Sequence, residues 1–288
     1  MRVLILGGSG MLGHRLWRHL HDRHEVWVTL RRTASSYAQY KLFDTERTIG
    51  GFEARSTEAL VSAFRRTKPE VVVNCVGIIK QLKEAQDPLM SIWINALLPH
   101  RLAELCGLVG SRLVHISTDC VFSGKKGNYT EEDYSDAEDL YGRSKFLGEV
   151  AAPHCLTLRT SIIGREVETR SGLVEWFLSQ QGREVKGYQK AIYSGLTTLE
   201  LARVIEDMIV NHPSLSGVWQ VSSDPIDKYE LLCLLRRNFG WAGSLLPDDT
   251  FRCDRSLDSR RFRSEARYQP PSWDAMIEEL AVSDGKSR

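Results

Sequence analysis

The sequence predicts an α/β fold: a doubly wound parallel sheet with a smaller α/β lobe after it. Three observations carry this. Short β-branched runs alternate with stretches of helical periodicity through the front half. The apolar run Val71-Val72-Val73-Asn74-Cys75-Val76 reads as a strand covered on both faces. At the N-terminus, a first strand passes directly into a glycine-rich turn and a helix.

In order, Val3–Leu6 is the first strand, Met11–His21 an amphipathic helix and Val26–Leu30 the second strand. Lys41–Phe43 is read as a weak third strand. Thr57–Arg66 is a helix ended by Pro69, and Val71–Val76 the buried fourth strand. Ile92–Leu105 is helical, Arg112–Ile116 is a strand, a helix begins near Tyr141, and Cys155–Leu158 is another strand. Beyond about Arg165 the alternation loosens. Helices are expected at Leu173–Ser179, Thr198–Ile209, Lys228–Asn238 and Trp273–Leu280, with short strands at Gly217–Val221 and Ile192–Ser194. The expected division is a dinucleotide-binding domain at 1–165 and a smaller lobe at 166–288, with part of 186–222 returning to the first domain.

Composition excludes several classes. Lys plus Arg (38) nearly cancel Asp plus Glu (37) across 288 residues, so no global field attracts nucleic acid or an anionic membrane. The six cysteines form no Cys-x-x-Cys pair and no His-Glu-x-x-His occurs, so no metal is expected. The apolar start is too short for a signal peptide, and no run approaches a membrane span. A reduced, cytoplasmic enzyme is the expectation.

The first strand enters Gly7-Gly8-Ser9-Gly10-Met11-Leu12-Gly13. Glycines here let a backbone approach a pyrophosphate closely, and the helix after Gly13 offers free N–H groups to it. The position between a strand and a helix is the context such a motif requires, and it points to a Rossmann-type dinucleotide site. At the end of the second strand stand Arg31 and Arg32, where an enzyme of NAD would carry an acid for the ribose hydroxyls. Paired guanidiniums suit a 2′-phosphate, so NADP(H) is the expected cofactor; the bland alternative is a solvated basic corner.

The strand Arg112–Ile116 ends in Ser117-Thr118-Asp119-Cys120, and a later helix opens with Tyr141-Gly142-Arg143-Ser144-Lys145. Residues four apart share a helix face, so Lys145 can sit beside the Tyr141 phenol and favour its ionised form. Tyr37 and Lys41 repeat the spacing but lack a hydroxyl-bearing strand end before them, and are read as a coincidence.

In this order, the glycine turn, Asn74-Cys75-Val76-Gly77, Asn95-Ala96-Leu97-Leu98-Pro99, Ser117-Thr118-Asp119, Tyr141-x-x-x-Lys145 and Leu158-Arg159-Thr160-Ser161 resemble the extended short-chain dehydrogenase/reductases. Within them the chain is most similar to the dTDP-4-dehydrorhamnose reductase group, strongly to about Gly164 and loosely afterwards. The resemblance implies that Thr118, with Ser117 nearby, hydrogen-bonds a substrate keto oxygen. Tyr141 would donate the proton, and Lys145 would lower the Tyr141 pKa and hold the nicotinamide ribose. It further implies that Gly7, Gly10, Met11, Leu12, Gly13, Cys75, Val76 and Gly77 line the cofactor. Asn95 would support the site from its helix, Asp44 would approach the adenine, and Arg159 and Thr160 would lie by the nicotinamide and sugar.

The resemblance also bears on the reaction. Sugar dehydratases of the superfamily have Thr-Asp-Glu where this chain has Thr118-Asp119-Cys120, so the carboxylate for removing water is missing. The group's usual aromatic residue is replaced by Cys120, which shapes the sugar pocket or, on a second reading, takes part in chemistry. The implied function is NADPH-dependent reduction of a nucleotide-linked 4-keto-6-deoxy sugar in surface polysaccharide synthesis. Alternatives are an epimerase or epimerase–reductase, and a non-catalytic binding or regulatory member. A homodimer is possible by the resemblance, although no stripe specifies its interface. Lys80, Lys190 and Arg255, the last in an arginine-rich segment from Arg252 to Arg263, are candidates for the nucleotide diphosphate; surface ion pairing is the competing reading.

Overall fold

The structure, a computed structural model, describes residues 1–80 and 83–285. It contains two compact units, the first made of Met1–Thr118, Glu138–Leu158 and Ala202–Val218. The second comprises Asp119–Ala137, Arg159–Leu201 and the chain from Trp219 onward.

In chain order the first unit holds β1 (Arg2–Leu6), α1 (Gly13–Leu20), β2 (Glu25–Thr29), β3 (Thr48–Ile49), α2 (Thr57–Thr67) and β4 (Val71–Asn74). There follow α3 (Pro88–Ser91), a π-helical stretch Ile92–Leu97, α4 (Leu98–Val109), β5 (Arg112–Ile116), α5 (Leu140–Leu147) and β6 (Cys155–Arg159). With β10 (Gly217–Gln220), the strands form one seven-stranded sheet in the order β10-β6-β5-β4-β1-β2-β3. Pairing is parallel from β6 through to β3. The chain reverses its direction of winding between β1 and β4, where Leu6 lies opposite Asn74. In open α/β sheets such a switch point leaves a crevice beyond the strand ends.

Local chemistry explains these elements. Leu4, Leu6 and Val72 are fully buried, and with Leu60, Phe64, Leu98 and Leu102 they form the core beneath the sheet. Ser56 caps α2 by accepting the Ala59 N–H at 3.1 Å, and Lys68 ends it in a left-handed conformation. The third strand is not at Lys41–Phe43. Residues 34–40 form a 3₁₀ turn closed by left-handed Lys41, and the strand pairing with β2 is Thr48–Ile49. Tyr37 is buried there against Phe43 in an edge-to-face contact at 6.0 Å, so it serves core packing, while Lys41 is exposed.

The second unit contains β7 (Ile162–Ile163), α6 (Leu173–Ser179), β8 (Glu184–Tyr193), β9 (Leu196–Thr197), β11 (Ile226–Asp227), α8 (Lys228–Phe239), β12 (Ser244–Asp254), α9 (Arg260–Glu265) and α10 (Trp273–Gly285). Helix α7 (Thr198–Val210) leads out of it into the first unit. A three-stranded sheet, β11-β8-β12, pairs β8 with β12 in parallel, interrupted between Asp248 and Arg252. The expected short strand at Ile192–Ser194 is the end of the ten-residue β8. β12 escaped detection because its Pro247-Asp248-Asp249 centre has the composition of a turn.

Candidate functional site

At the head of the first unit, the glycine turn is held by β2. Gly8 N–H donates to Thr29 O at 2.9 Å, and Gly7 N–H to Thr29 Oγ1 at 3.2 Å. Gly7 has φ +85°, a conformation that disfavours any side chain. A Cβ on Gly8 would lie 1.9 Å from Val28, and one on Gly13 only 2.1 Å from Gly7 O. A Cβ on Gly10 meets only Gly7 O, at 3.3 Å. Gly8 and Gly13 are therefore required by packing, whereas Gly10 keeps a face of bare backbone open in front of α1. That cradle fits a pyrophosphate.

Arg31 and Arg32 are exposed just past β2, and Arg32 O accepts the Gly51 N–H at 2.9 Å. Asp44 is exposed and folds its own turn, its Oδ1 accepting the Glu46 N–H. Beyond β4, Asn74 Oδ1 accepts the Val76 N–H at 3.1 Å, and its amide nitrogen meets His115 Nδ1 at the same distance. Burial holds His115 well below its ordinary pKa, so it is neutral. The loop Cys75–Gly77 is thereby shaped by its own strand end. Asn95, in the π-helical stretch, accepts the Ile78 N–H at 2.9 Å and donates to Ile78 O and to Ser144 Oγ. It ties that loop to α5. Gly148 lets α5 approach closely, since a Cβ there would be 1.9 Å from Asn95 O.

α5 carries the Tyr141–Lys145 pair. Its N-cap, Asp139, accepts the Gly142 N–H at 2.8 Å. Lys145 is buried and its Nζ donates to Ile116 O at 2.8 Å, which places the ammonium at the exit of β5 next to Ser117 and Thr118. Burial lowers the Lys145 pKa to about 8, opposed by Glu149 and Cys75. Ser117 Oγ gives its proton to Glu149 Oε1 at 2.7 Å, so it can offer only lone pairs to another group. Thr118, also buried, is the neighbouring hydroxyl.

Of the expected substrate residues, Lys80 belongs to this unit and is ion-paired with Asp139 at 2.6 Å. Thr118 also belongs to this unit, whereas Asp119, Cys120, Arg159, Lys190 and Arg255 lie in the second unit. Lys190 pairs with Asp249 at 3.0 Å, and Arg255 Nε donates to Phe122 O at 2.8 Å. Arg260 and Arg263 pair with Asp258 and Asp224, so ion pairing occupies much of the arginine-rich segment. Asp119 N–H donates to Thr160 O at 3.3 Å, while Arg159 is buried over the Phe122 ring. Lys228 at the start of α8 is a further charged residue of the second unit, not marked by any motif. Its Nζ lies 3.9 Å from the Tyr193 ring centroid, and burial draws it down to about 8 against the pull of Asp119 and Cys120. The signal was faint, a lysine just after the N-cap Asp227. Among the described residues, no cluster suited to a metal ion occurs, and no helix is long and apolar enough to cross a membrane.

The family described as RmlD substrate binding domain matches residues 1–223. The chain belongs to that family. A curated relative, dTDP-4-dehydrorhamnose reductase of Streptomyces griseus, is 31% identical over 151 residues, 52% of this chain and 44% of its own. Methionine adenosyltransferase 2 subunit beta of Rattus norvegicus is 26% identical over 259 residues, 85% of this chain and 74% of its own. The solved dTDP-4-dehydrorhamnose reductase of Bacillus anthracis, in complex with NADP, superposes with a TM-score of 0.79 at 21% identity. That match covers 98% of this chain and 99% of the other. The Rossmann-type α/β class read from the sequence is the fold of this RmlD-family chain.

Proposed function

We propose that the chain is an NADPH-dependent reductase of a nucleotide-linked 4-keto-6-deoxy sugar, serving surface polysaccharide synthesis. The observation that carries this reading is Lys145 anchored on Ile116 O, one turn of helix after Tyr141 and beside the Ser117-Thr118 strand end. Bound NADPH would supply a hydride to the keto carbon. Thr118 would hydrogen-bond the keto oxygen, Tyr141 would give it a proton, and Lys145 would stabilise the phenolate left behind. Ser117, Asp119, Cys120, Arg159 and Thr160 are proposed to flank the sugar and nicotinamide. Arg31 and Arg32 are proposed to take the 2′-phosphate, and Asp44 to approach the adenine. The NADP complex of the Bacillus anthracis reductase supports the cofactor.

The test follows NADPH absorbance at roughly 340 nm with dTDP-, UDP- and GDP-linked 4-keto-6-deoxy sugars. Turnover with one of them, lost in Tyr141→Phe by a factor of about 10² or more, supports the proposal. NADPH binding without turnover of any of the three overturns it. A second reading, a subunit that binds another enzyme, is favoured by one observation, the likeness to a methionine adenosyltransferase subunit. Co-purification with an adenosyltransferase, unaffected by Tyr141→Phe, would establish that reading.

A further inference from the structure

Two consecutive residues at the exit of β5 hold two side chains that lie four residues apart on and just beyond α5. Ile116 O accepts Lys145 Nζ at 2.8 Å, and Ser117 Oγ donates to Glu149 Oε1 at 2.7 Å. Glu149 follows the end of α5, its N–H bonded to Phe146 O at 3.1 Å. The lysine and the carboxylate are thus directed to the same strand end. From this geometry we propose that Glu149 is a positioning residue that keeps Lys145 in its ammonium form and so sets the pH range over which the Tyr141–Lys145 pair works. The inference rests on the reductase reading and deepens it.

The surroundings of Lys145 single out Glu149. Cys75 faces it from the end of β4, His115 from β5, and Tyr141 and Glu149 belong to its own segment. Burial pushes the Cys75 thiol up to about 12 and holds His115 well below its usual range, so both are uncharged at neutral pH. Glu149 is the acidic side chain among these neighbours. Lys145 is drawn by burial to about 8, close enough to neutrality that loss of a nearby anion matters.

A lysine loses its charge as pH rises through its pKa, and removing an adjacent negative charge lowers that pKa further. In Glu149→Gln, whose amide oxygen can still accept from Ser117, the alkaline limb of kcat should move down by about one pH unit. At pH near 8 kcat should fall about fivefold, approaching about tenfold at higher pH, while KM stays within about twofold. Titration of isotope-labelled lysine Cε by NMR, with Lys145→Met to assign the signal, reads the same shift without substrate. A midpoint lowered by about one unit in Glu149→Gln, partly restored in Glu149→Asp, supports the proposal. An unchanged midpoint overturns it. Absence of keto-sugar turnover in the wild type would sink the reductase reading instead, and the titration would still decide the role of Glu149.

Discussion

Asp139 binds Lys80 with one carboxylate oxygen and the Gly142 N–H with the other, at 2.6 and 2.8 Å. The two bonds are of unequal worth. The N-cap bond satisfies an amide at the start of the helix that bears Tyr141 and Lys145, whereas the lysine pair is substantially exposed on both sides. Asp139→Ala should therefore cost about 1 kcal/mol, and Lys80→Ala no more than about 0.5 kcal/mol. Urea unfolding of the two variants checks this; equal losses would mean that the N-cap bond contributes nothing beyond the exposed pair.

The glycine turn separates a folding requirement from a binding one. Gly13→Ala forces a Cβ against the Gly7 carbonyl, which is backbone and cannot step aside, so poorly folded protein is expected. Gly10→Ala brings its methyl to 3.3 Å from the same carbonyl, a far smaller conflict, so it should fold with a modestly lowered melting temperature. That methyl would occupy the bare face of the cradle, so NADPH affinity should fall by about tenfold or more. Circular dichroism and NADPH fluorescence titration distinguish the two effects.

If Arg31 and Arg32 hold the 2′-phosphate, their loss discriminates between nicotinamide cofactors. Charge-assisted bonds of this kind contribute roughly 1.5–3 kcal/mol, about tenfold to hundredfold in affinity. The double Arg31→Ala, Arg32→Ala variant should bind NADPH that much more weakly and NADH unchanged. Equal weakening toward both would place the arginines away from the phosphate.

His14 gives the fold an acid sensitivity. It is buried in α1 with Nδ1 on Gly10 O at 2.9 Å, and burial lowers its pKa from 6.5 to about 4. Between those values the unfolded chain takes up a proton that the folded one refuses, so stability falls as pH drops through that window. At pH 5 the loss from this residue is about 2 kcal/mol, and His115 acts in the same direction. Urea unfolding at pH 7 and pH 5 should show a smaller drop in His14→Gln than in the wild type. An identical drop in both would remove His14 as the cause.

Much of the fold is legible in the sequence because its signals are local. The β-branched runs at β1, β4 and β5 and the strand–glycine–helix junction each depend on residues within one or two turns of chain. Where the local signal misleads, the reading fails. Lys41–Phe43 looked like a strand, but the sheet pairs β2 with Thr48–Ile49, a choice made by β2 and not by the segment itself. The centre of β12 reads as a turn, and only the neighbouring β8 makes it a strand. The candidate site divides in the same way. The spacing of Tyr141 and Lys145 and the glycines of the turn were visible from sequence alone. That Ser117 meets Glu149 across 32 positions, that Lys80 is taken by Asp139, and that Lys228 lies over Tyr193 were decided by tertiary structure. A backbone pattern is written in consecutive residues, but the partner of a charge is chosen by whichever distant side chain the folded chain brings within reach.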